Sequence, residues 1–356
     1  MIKFVHAADL HLDAAFSGVS PEQAAQRRRE QRQALASLAK ECRGCDLVLL
    51  AGDLFDSARV YQDTIDALKT FFSAIDAEVF IAPGNHDFVT SGSPYLTEHW
   101  GENVHIFTKN EIECVHLEAL RCDVYGAGFT SAEAPDLLSG FRVRDPEALN
   151  LMVLHGDLQP NSPYNPITPE DIAFSGLDYL ALGHIHASFV KRCGKTICAM
   201  PGCLMGRGFD ECGQKGALRV TLGEADCQTD FVPIPTRRYE ILSVEAGDDP
   251  LAAIRAALPE QTREDCYRIL LTGEAERPDT DVLESILAPS FYSLSVRDRT
   301  YPKQALWAAS GEDTLRGHFL HELKTQYDTA DEVSRRTITL AARLVTNLMD
   351  GREAGI

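Results

Sequence analysis

A chain of 356 residues, 44% hydrophobic and 24% charged, has the composition of a soluble globular protein and room for one large domain plus a smaller one. Its formal net charge of −19 argues against broad, nonspecific attraction to nucleic acid, which depends on Lys and Arg displacing counterions; a local basic groove stays open. No apolar run approaches the ~20 residues that span a bilayer, and the N-terminus enters a strand without an export signal, so a cytoplasmic protein with no membrane association is expected.

Residues 2–6 read as a strand, followed by Asp9-Leu10-His11 on a loop. Pro21 to about Arg43 reads as a helix: Ser20 can cap it, Pro21 suits its first turn, and Ala24, Leu35, Leu38 and Ala39 keep a helical rhythm. Its Arg27–Arg32 segment is basic, either a solvated face or a phosphate contact. Cys42-Arg43-Gly44-Cys45 closes it, a lone CxxC read as structural; the ten scattered cysteines read as reduced thiols. The apolar run 47–51 suits a strand covered on both faces, yet it stops at Gly52-Asp53-Leu54-Phe55-Asp56, and packing explains an acid there poorly. A helix over 61–75 and a strand over 79–82 complete βαβαβ, and this strand runs into Gly84-Asn85-His86-Asp87.

Residues 88–100 form a loop, 112–118 and 120–126 a hairpin, and 130–148 loop with a short helix. The strand over 151–154 ends in His155, and a turn-rich loop covers 159–166. The strand over 178–182 ends in Gly183-His184-Ile185-His186, and strands near 188–193, 195–199 and 216–222 favour two packed sheets over one open sheet. Past Pro233-Ile234-Pro235 come strands over 239–244, 267–272 and 291–296, with helices near 249–257 and 279–287 between them. Helices over 313–325 and 330–349 close the chain. The last carries Val333, Ile338, Leu340, Ala341, Leu344, Val345 and Leu348, an apolar surface that either packs on its own domain or docks a partner. The expected division is 1–235, 236–305 and 306–356.

Open α/β sheets carry their chemistry at the carboxyl ends of strands. Five of the eleven histidines, His11, His86, His155, His184 and His186, lie just past apolar strands beside acids, Asn or Gly; His6, His99, His105, His116, His318 and His321 are most simply packing or surface residues. Carboxylate mixed with imidazole suits Mn²⁺, Fe²⁺ or Zn²⁺ better than Ca²⁺. The set is too large for one ion and fits two, which a bridging carboxylate would hold together. Any one motif could be a cap or turn; all five together point to a site.

Asp9-x-His11, Gly52-Asp53-x-x-Asp56, Gly84-Asn85-His86-Asp87, His155 and Gly183-His184-x-His186 match, in order, the calcineurin-like metallophosphoesterase signature over roughly residues 1–235. Within it the chain resembles DNA-repair exonucleases of the SbcD and YhaO type, through Leu54-Phe55-Asp56 and through Phe209-Asp210-Glu211-Cys212-Gly213 after Pro201-Gly202. The resemblance implies an α/β fold: a two-sheet β-sandwich flanked by helices, then an α+β capping domain and terminal helices. It implies one ion on Asp9, His11, Asp53 and His186 and another on Asp53, Asn85, His155 and His184, with Asp53 the bridge. His86 then faces the scissile phosphate without ligating, and Asp56 resembles the acid that orients it. Two divalent ions, Mn²⁺ foremost with Fe²⁺, Zn²⁺ or Mg²⁺ as alternatives, would hold a bridging hydroxide. The implied activity is exonucleolytic cleavage of DNA phosphodiesters in repair, on single strands or duplex ends, with endonucleolytic cleavage left open. The implied partner is a P-loop ATPase of the long coiled-coil type; a homodimer stays open. Arg207, Arg237, Arg238 and the Arg27–Arg32 cluster are candidate DNA contacts or plain surface charges. A small-molecule phosphodiesterase or phosphoprotein phosphatase with the same centre is the alternative.

Overall fold

The computed structural model describes residues 1–223, 226–301 and 306–351, and the chain divides into units Met1–Thr236 and Arg237–Ile356. In the first unit β1 (Ile2–Ala7), α1 (Pro21–Glu41), β2 (Leu47–Leu50), α2 (Gln62–Ser73) and β3 (Glu78–Ile81) follow as expected, then a short α3 (Pro94–Thr97) and β4 (Val104–Ile106). Next come β5 (Glu113–Leu117), β6 (Cys122–Gly126), β7 (Leu149–His155), α4 (Pro169–Ser175) and β8 (Tyr179–Gly183). The unit closes with β9 (Phe189–Cys193), β10 (Thr196–Met200), β11 (Gly216–Leu222) and β12 (Cys227–Pro233). They build two six-stranded sheets, ordered β12-β11-β1-β2-β3-β4 and β5-β6-β7-β8-β10-β9. Strands β1 to β4 are mutually parallel, as are β6, β7, β8 and β10, while the outer strands pair antiparallel.

The period-two alternation of strands decides the layers. In β2, Leu47 and Leu49 join Phe4 and Phe80 against Val124, Leu151, Tyr179 and Ala181 of the second sheet. Val48 and Leu50 point the other way, into Leu35 and Leu38 of α1 and Ile65, Leu68 and Phe71 of α2. The outer face of the second sheet, with Met152, Leu154, Leu180 and Leu182, packs on Ile172 of α4 and on Leu138 and Leu177. Both faces of the central strands are therefore buried, which is why they carry no polar side. Ser20 caps α1 as expected, in a reciprocal capping box with Gln23. His6 also packs as expected: its ring bonds the Tyr179 hydroxyl (3.0 Å) and the Leu182 carbonyl (3.1 Å), tying one sheet to the other.

Some elements depart from expectation. Strand β12 is half-exposed on a sheet edge, so it shows no apolar run. Strand β4 is three residues long, and α4 has too few buried residues for a periodicity to show. No helix forms over 130–148, where an expected one gives way to irregular chain tied down by Val143 N–H to Ser175 O and Leu137 N–H to the buried Asn165 side chain.

The second unit is a parallel three-stranded sheet, β13 (Tyr239–Glu245), β14 (Cys266–Thr272) and β15 (Ser293–Asp298), with α5 (Pro250–Ala257) and α6 (Thr280–Leu287) as crossovers. Val244, Ile254, Ile269, Leu271, Leu283, Leu287 and Val296 form its core. The expected boundary at 305/306 abuts residues 302–305, outside the described residues. Beyond it α7 (Leu315–Thr329) packs on α8 (Glu332–Met349), which buries Ala342, Thr346 and Asn347 and leaves Val333, Leu340, Leu348 and Met349 exposed. Among the described residues no helix is long and apolar enough to cross a membrane.

Candidate metal centre

The carboxyl ends of β1, β2, β3, β7 and β8 deliver Asp9 and His11, Asp53 and Asp56, Asn85 and His86, His155, and His184 and His186 to one place. Reaching it strains the backbone. Asp9, His11, Asp53 and His184 have φ of 51°, 43°, 49° and 112°, a region that non-glycine residues rarely enter. Such residues cost on the order of 1–3 kcal/mol each and persist where the surroundings over-determine them. Asp9 N–H donates to Gly52 O (3.0 Å) and His11 N–H to Asp53 O (2.9 Å), so the two loops hold each other. Gly52, at φ 87°, has no room for a side chain: a Cβ there would lie 2.1 Å from His155 Nδ1.

Asp53 sits between two donor groups. Its Oδ1 accepts from His86 N–H (2.9 Å), and its Oδ2 faces His11 Nε2 (3.7 Å) on one side and His155 Nε2 (3.4 Å) on the other. On the first side His11 Nε2 lies 3.2 Å from His186 Nε2, which is 3.9 Å from Asp9 Oδ1. On the second, His155 Nε2 lies 2.9 Å from Asn85 Oδ1 and 3.3 Å from His184 Nδ1, itself 3.3 Å from Asn85 Oδ1. Both Asp9 oxygens accept from His184 N–H at 3.1 Å.

The outer ring nitrogens decide what the inner ones offer. His11 Nδ1 donates to Asp56 Oδ1 (3.1 Å), His186 Nδ1 to Glu211 Oε1 (2.7 Å) and His155 Nδ1 to Ala51 O (3.1 Å). Carboxylates and carbonyls only accept here, so each Nδ1 carries the proton and each Nε2 turns a lone pair inward. Burial pushes the His11 imidazole down to about 4 against the pull of Asp56, and pushes His184 to about 4 with help from His155. Burial and the neighbouring Asp53 charge raise the Asp9 carboxyl well above its usual range; Asp53 itself is held low, with the His155 and His11 imidazoles outweighing its burial. Carboxylates and inward lone pairs at such spacings lack the protons to satisfy one another and fit divalent cations. The donor atoms of Asp9, His11 and His186 all lie within 4.8 Å of one another, as do those of Asp9, Asp53 and His155.

The structure corrects the expected role of Asp56. Its carboxylate does not aim His86: it accepts from His11 Nδ1 and from Arg207 Nη1 (2.8 Å), while His86 Nδ1 donates to the Asp56 main-chain oxygen (3.1 Å). His86 is exposed at the rim, its Nδ1 taken; its donor atom also falls within 4.8 Å of those of His11 and Asp53. Arg207 is not a plain surface charge but part of the site, paired with Asp56 and Glu211. Arg27 is buried, donating to Gly206 O and to Glu30, so this member of the basic cluster is neither a solvated face nor a phosphate contact. Arg238 pairs with Asp265, and Arg237 lies 3.4 Å over the Tyr292 ring and bonds Glu264 O. Cys42 and Cys45 are free thiols, and among the described residues neither joins a cluster with metal-ligating spacing.

Two residues support the site through contacts that their motifs do not show in sequence. Glu211 lies inside the Phe209–Gly213 stretch; its bonds to His186 and Arg207 outweigh burial and hold its carboxyl well below the usual carboxylate range. Asp87 accepts from Gly84 N–H (2.7 Å), Phe55 N–H (3.0 Å) and Tyr95 Oη (2.5 Å), fixing the Asn85-His86 turn; burial and Asp53 push it up to about 6.

The calcineurin-like phosphoesterase family model matches residues 2–188. The uncharacterized metallophosphoesterase YhaO of Bacillus subtilis (strain 168) is 31% identical, covering 77% of this chain and 72% of its own length. Solved structures with a similar chain trace include TT1561 of Thermus thermophilus (TM-score 0.42, 10% identity, 65% of this chain and 98% of that one). A dimetal phosphatase from Danio rerio gives TM-score 0.41 at 12% identity, over 65% of this chain and 99% of its own.

Proposed function

Because the chain belongs to the calcineurin-like phosphoesterase family, we propose that it is a two-metal DNA phosphodiesterase of the repair-exonuclease type, using Mn²⁺ foremost. The observation that carries the phosphoester reading is Asp53 Oδ2, set between the inward nitrogens of His11 and His155, from where it could serve both donor groups. Asp9, His11, Asp53 and His186 would hold one ion, and Asp53, Asn85, His155 and His184 the other. Bound there, the ions supply Lewis acidity: water activated near neutral pH and the phosphate charge neutralised. As an imidazolium, with its Nδ1–H held by Asp56 O, His86 would bind the phosphate from the rim through Nε2–H, and that Nε2 proton would pass to the leaving 3′ or 5′ oxygen, leaving the ring neutral.

The DNA reading is supported by the Phe209–Gly213 stretch, whose Glu211 bonds His186, and by basic residues in an otherwise acidic chain. Arg59 is exposed three residues after Asp56, and the Arg28 guanidinium lies 5.7 Å from the exposed Tyr61 ring, an arrangement suited to a phosphate backbone and a base. The exposed apolar residues of α8 support docking of a P-loop coiled-coil ATPase. The net charge of −19 favours the small-ester or phosphoprotein alternative. Labelled single-stranded and duplex DNA, incubated with Mn²⁺ beside a nitrophenyl phosphodiester, separates them: cleavage of DNA is expected, and hydrolysis of the small ester alone would overturn the nuclease reading.

A further inference from the structure

Arg207 reaches the centre from the loop between β10 and β11 and touches it on two sides. Its Nη1 donates to Asp56 Oδ1 (2.8 Å). Its Nη2 and Nε donate to Glu211 Oε1 (2.8 and 3.2 Å), and its own backbone N–H holds Glu211 Oε2 (2.7 Å). Those two carboxylates are the ones that accept from His11 Nδ1 and His186 Nδ1. The guanidinium therefore closes a ring: Arg207, Asp56, His11, then across 3.2 Å to His186, Glu211 and back. Among the described residues no such ring encloses the other half of the centre. There His155 Nδ1 rests on the neutral Ala51 carbonyl, and His184 Nε2 has Asp157 Oδ2 only at 3.8 Å.

We infer that Arg207, acting through Asp56 and Glu211, is the positioning residue that sets the affinity of the ion between His11 and His186 without setting that of the other ion. The inference rests on the two-ion reading above. A carboxylate on the outer nitrogen fixes an imidazole's tautomer and raises its basicity, and losing such a partner costs roughly 10- to 100-fold in metal affinity. Asp56 and Glu211 carry like charges on the same side of the centre. A planar fork that bonds both at once keeps each turned to its histidine, which a lysine, with one point charge, does less well.

Charge alone predicts the opposite sign. Removing a cation beside the centre should tighten the binding of a dication, so a weakening reports on geometry and not on field. The experiment is titration of the chelator-stripped full chain with Mn²⁺, followed by calorimetry and by electron paramagnetic resonance, with circular dichroism confirming the fold of each variant. Wild type is expected to bind two ions. Arg207→Met and Glu211→Gln should each weaken the same single ion about 10- to 100-fold and leave the other unchanged, and Arg207→Lys should recover part of the loss. Unchanged or tighter binding in Arg207→Met overturns the inference, as does equal weakening of both ions or weakening of different ions by the two variants. A wild-type chain binding fewer than two ions instead overturns the two-ion reading and the inference with it.

Discussion

Asp53 answers three demands at once: its main-chain oxygen holds His11 N–H, its Oδ1 holds His86 N–H, and its Oδ2 stands between the two groups of donors. Asp53→Ala should therefore lose both ions, to be read by elemental analysis of the purified chain; two retained ions would refute the bridge. His86 makes the contrasting case. His86→Gln should keep both ions and lose about 10²- to 10⁴-fold in turnover, the range of general acid–base assistance; loss of metal would make it a ligand. The candidate ligands were legible because each sits just past an apolar strand, where an acid or histidine has no packing reason to be. Asp56 was legible as part of the Gly52–Asp56 motif, but the partners of its carboxylate were not. Only the fold shows that its carboxylate meets His11 and Arg207 while its carbonyl meets His86. Arg207, a candidate DNA contact, and Glu211, inside the Phe209–Gly213 stretch, gave no sign in sequence that they would meet Asp56 and His186.

At the scale of elements, the loops after β1 and β2 are held by each other's backbone, and Gly52 is where they meet the His155 ring. Gly52→Ala combines a positive φ with a Cβ 2.1 Å from that ring, so it should destabilise the chain by about 1–3 kcal/mol and weaken the metal site beside His155. Thermal melts with and without Mn²⁺ check it: a melt like wild type in both would show that the loops can yield. Helix α8 carries a different expectation. Leu340→Asp and Leu348→Asp, both at exposed positions, should leave the melting temperature within a few degrees of wild type yet abolish copurification with a co-expressed coiled-coil ATPase. A lowered melting temperature would instead mean that the apolar stripe packs on its own unit.

At the scale of the molecule, the catalytic unit holds together as two sheets face to face, and His6 is a polar tie across them. Burial pushes its imidazole from 6.5 down to about 3, outweighing the bond to the Leu182 carbonyl. The folded chain therefore keeps His6 neutral where the unfolded chain would protonate it. Stability is unaffected above pH 6.5 and falls as pH drops from there toward 3, by on the order of 3 kcal/mol between pH 7 and pH 4. Urea melts over that range should show a shallower acid loss in His6→Gln than in wild type; equal slopes would assign the acid sensitivity elsewhere.

The sequence by itself determined which strands are buried, since runs without a polar side can only lie between two layers, and it determined where those runs end in acids, Asn and His that could serve as metal ligands. Alternating strand and helix patterns after Pro233-Ile234-Pro235 are local and could be read, but the expected α+β class was not right: the strands are parallel with helical crossovers, an α/β arrangement. Tertiary structure alone decided what depends on residues far apart in the chain. Strand β12 exists because β11 offers it an edge, not because its own residues are apolar. Arg207 and Glu211 join the centre because β10 and β11 bring their loop against residues some 150 positions earlier, where a guanidinium can span Asp56 and Glu211. Side-chain pairing across such separations leaves no periodicity to read; it is fixed only when the strands are in register and the lone pairs have a direction.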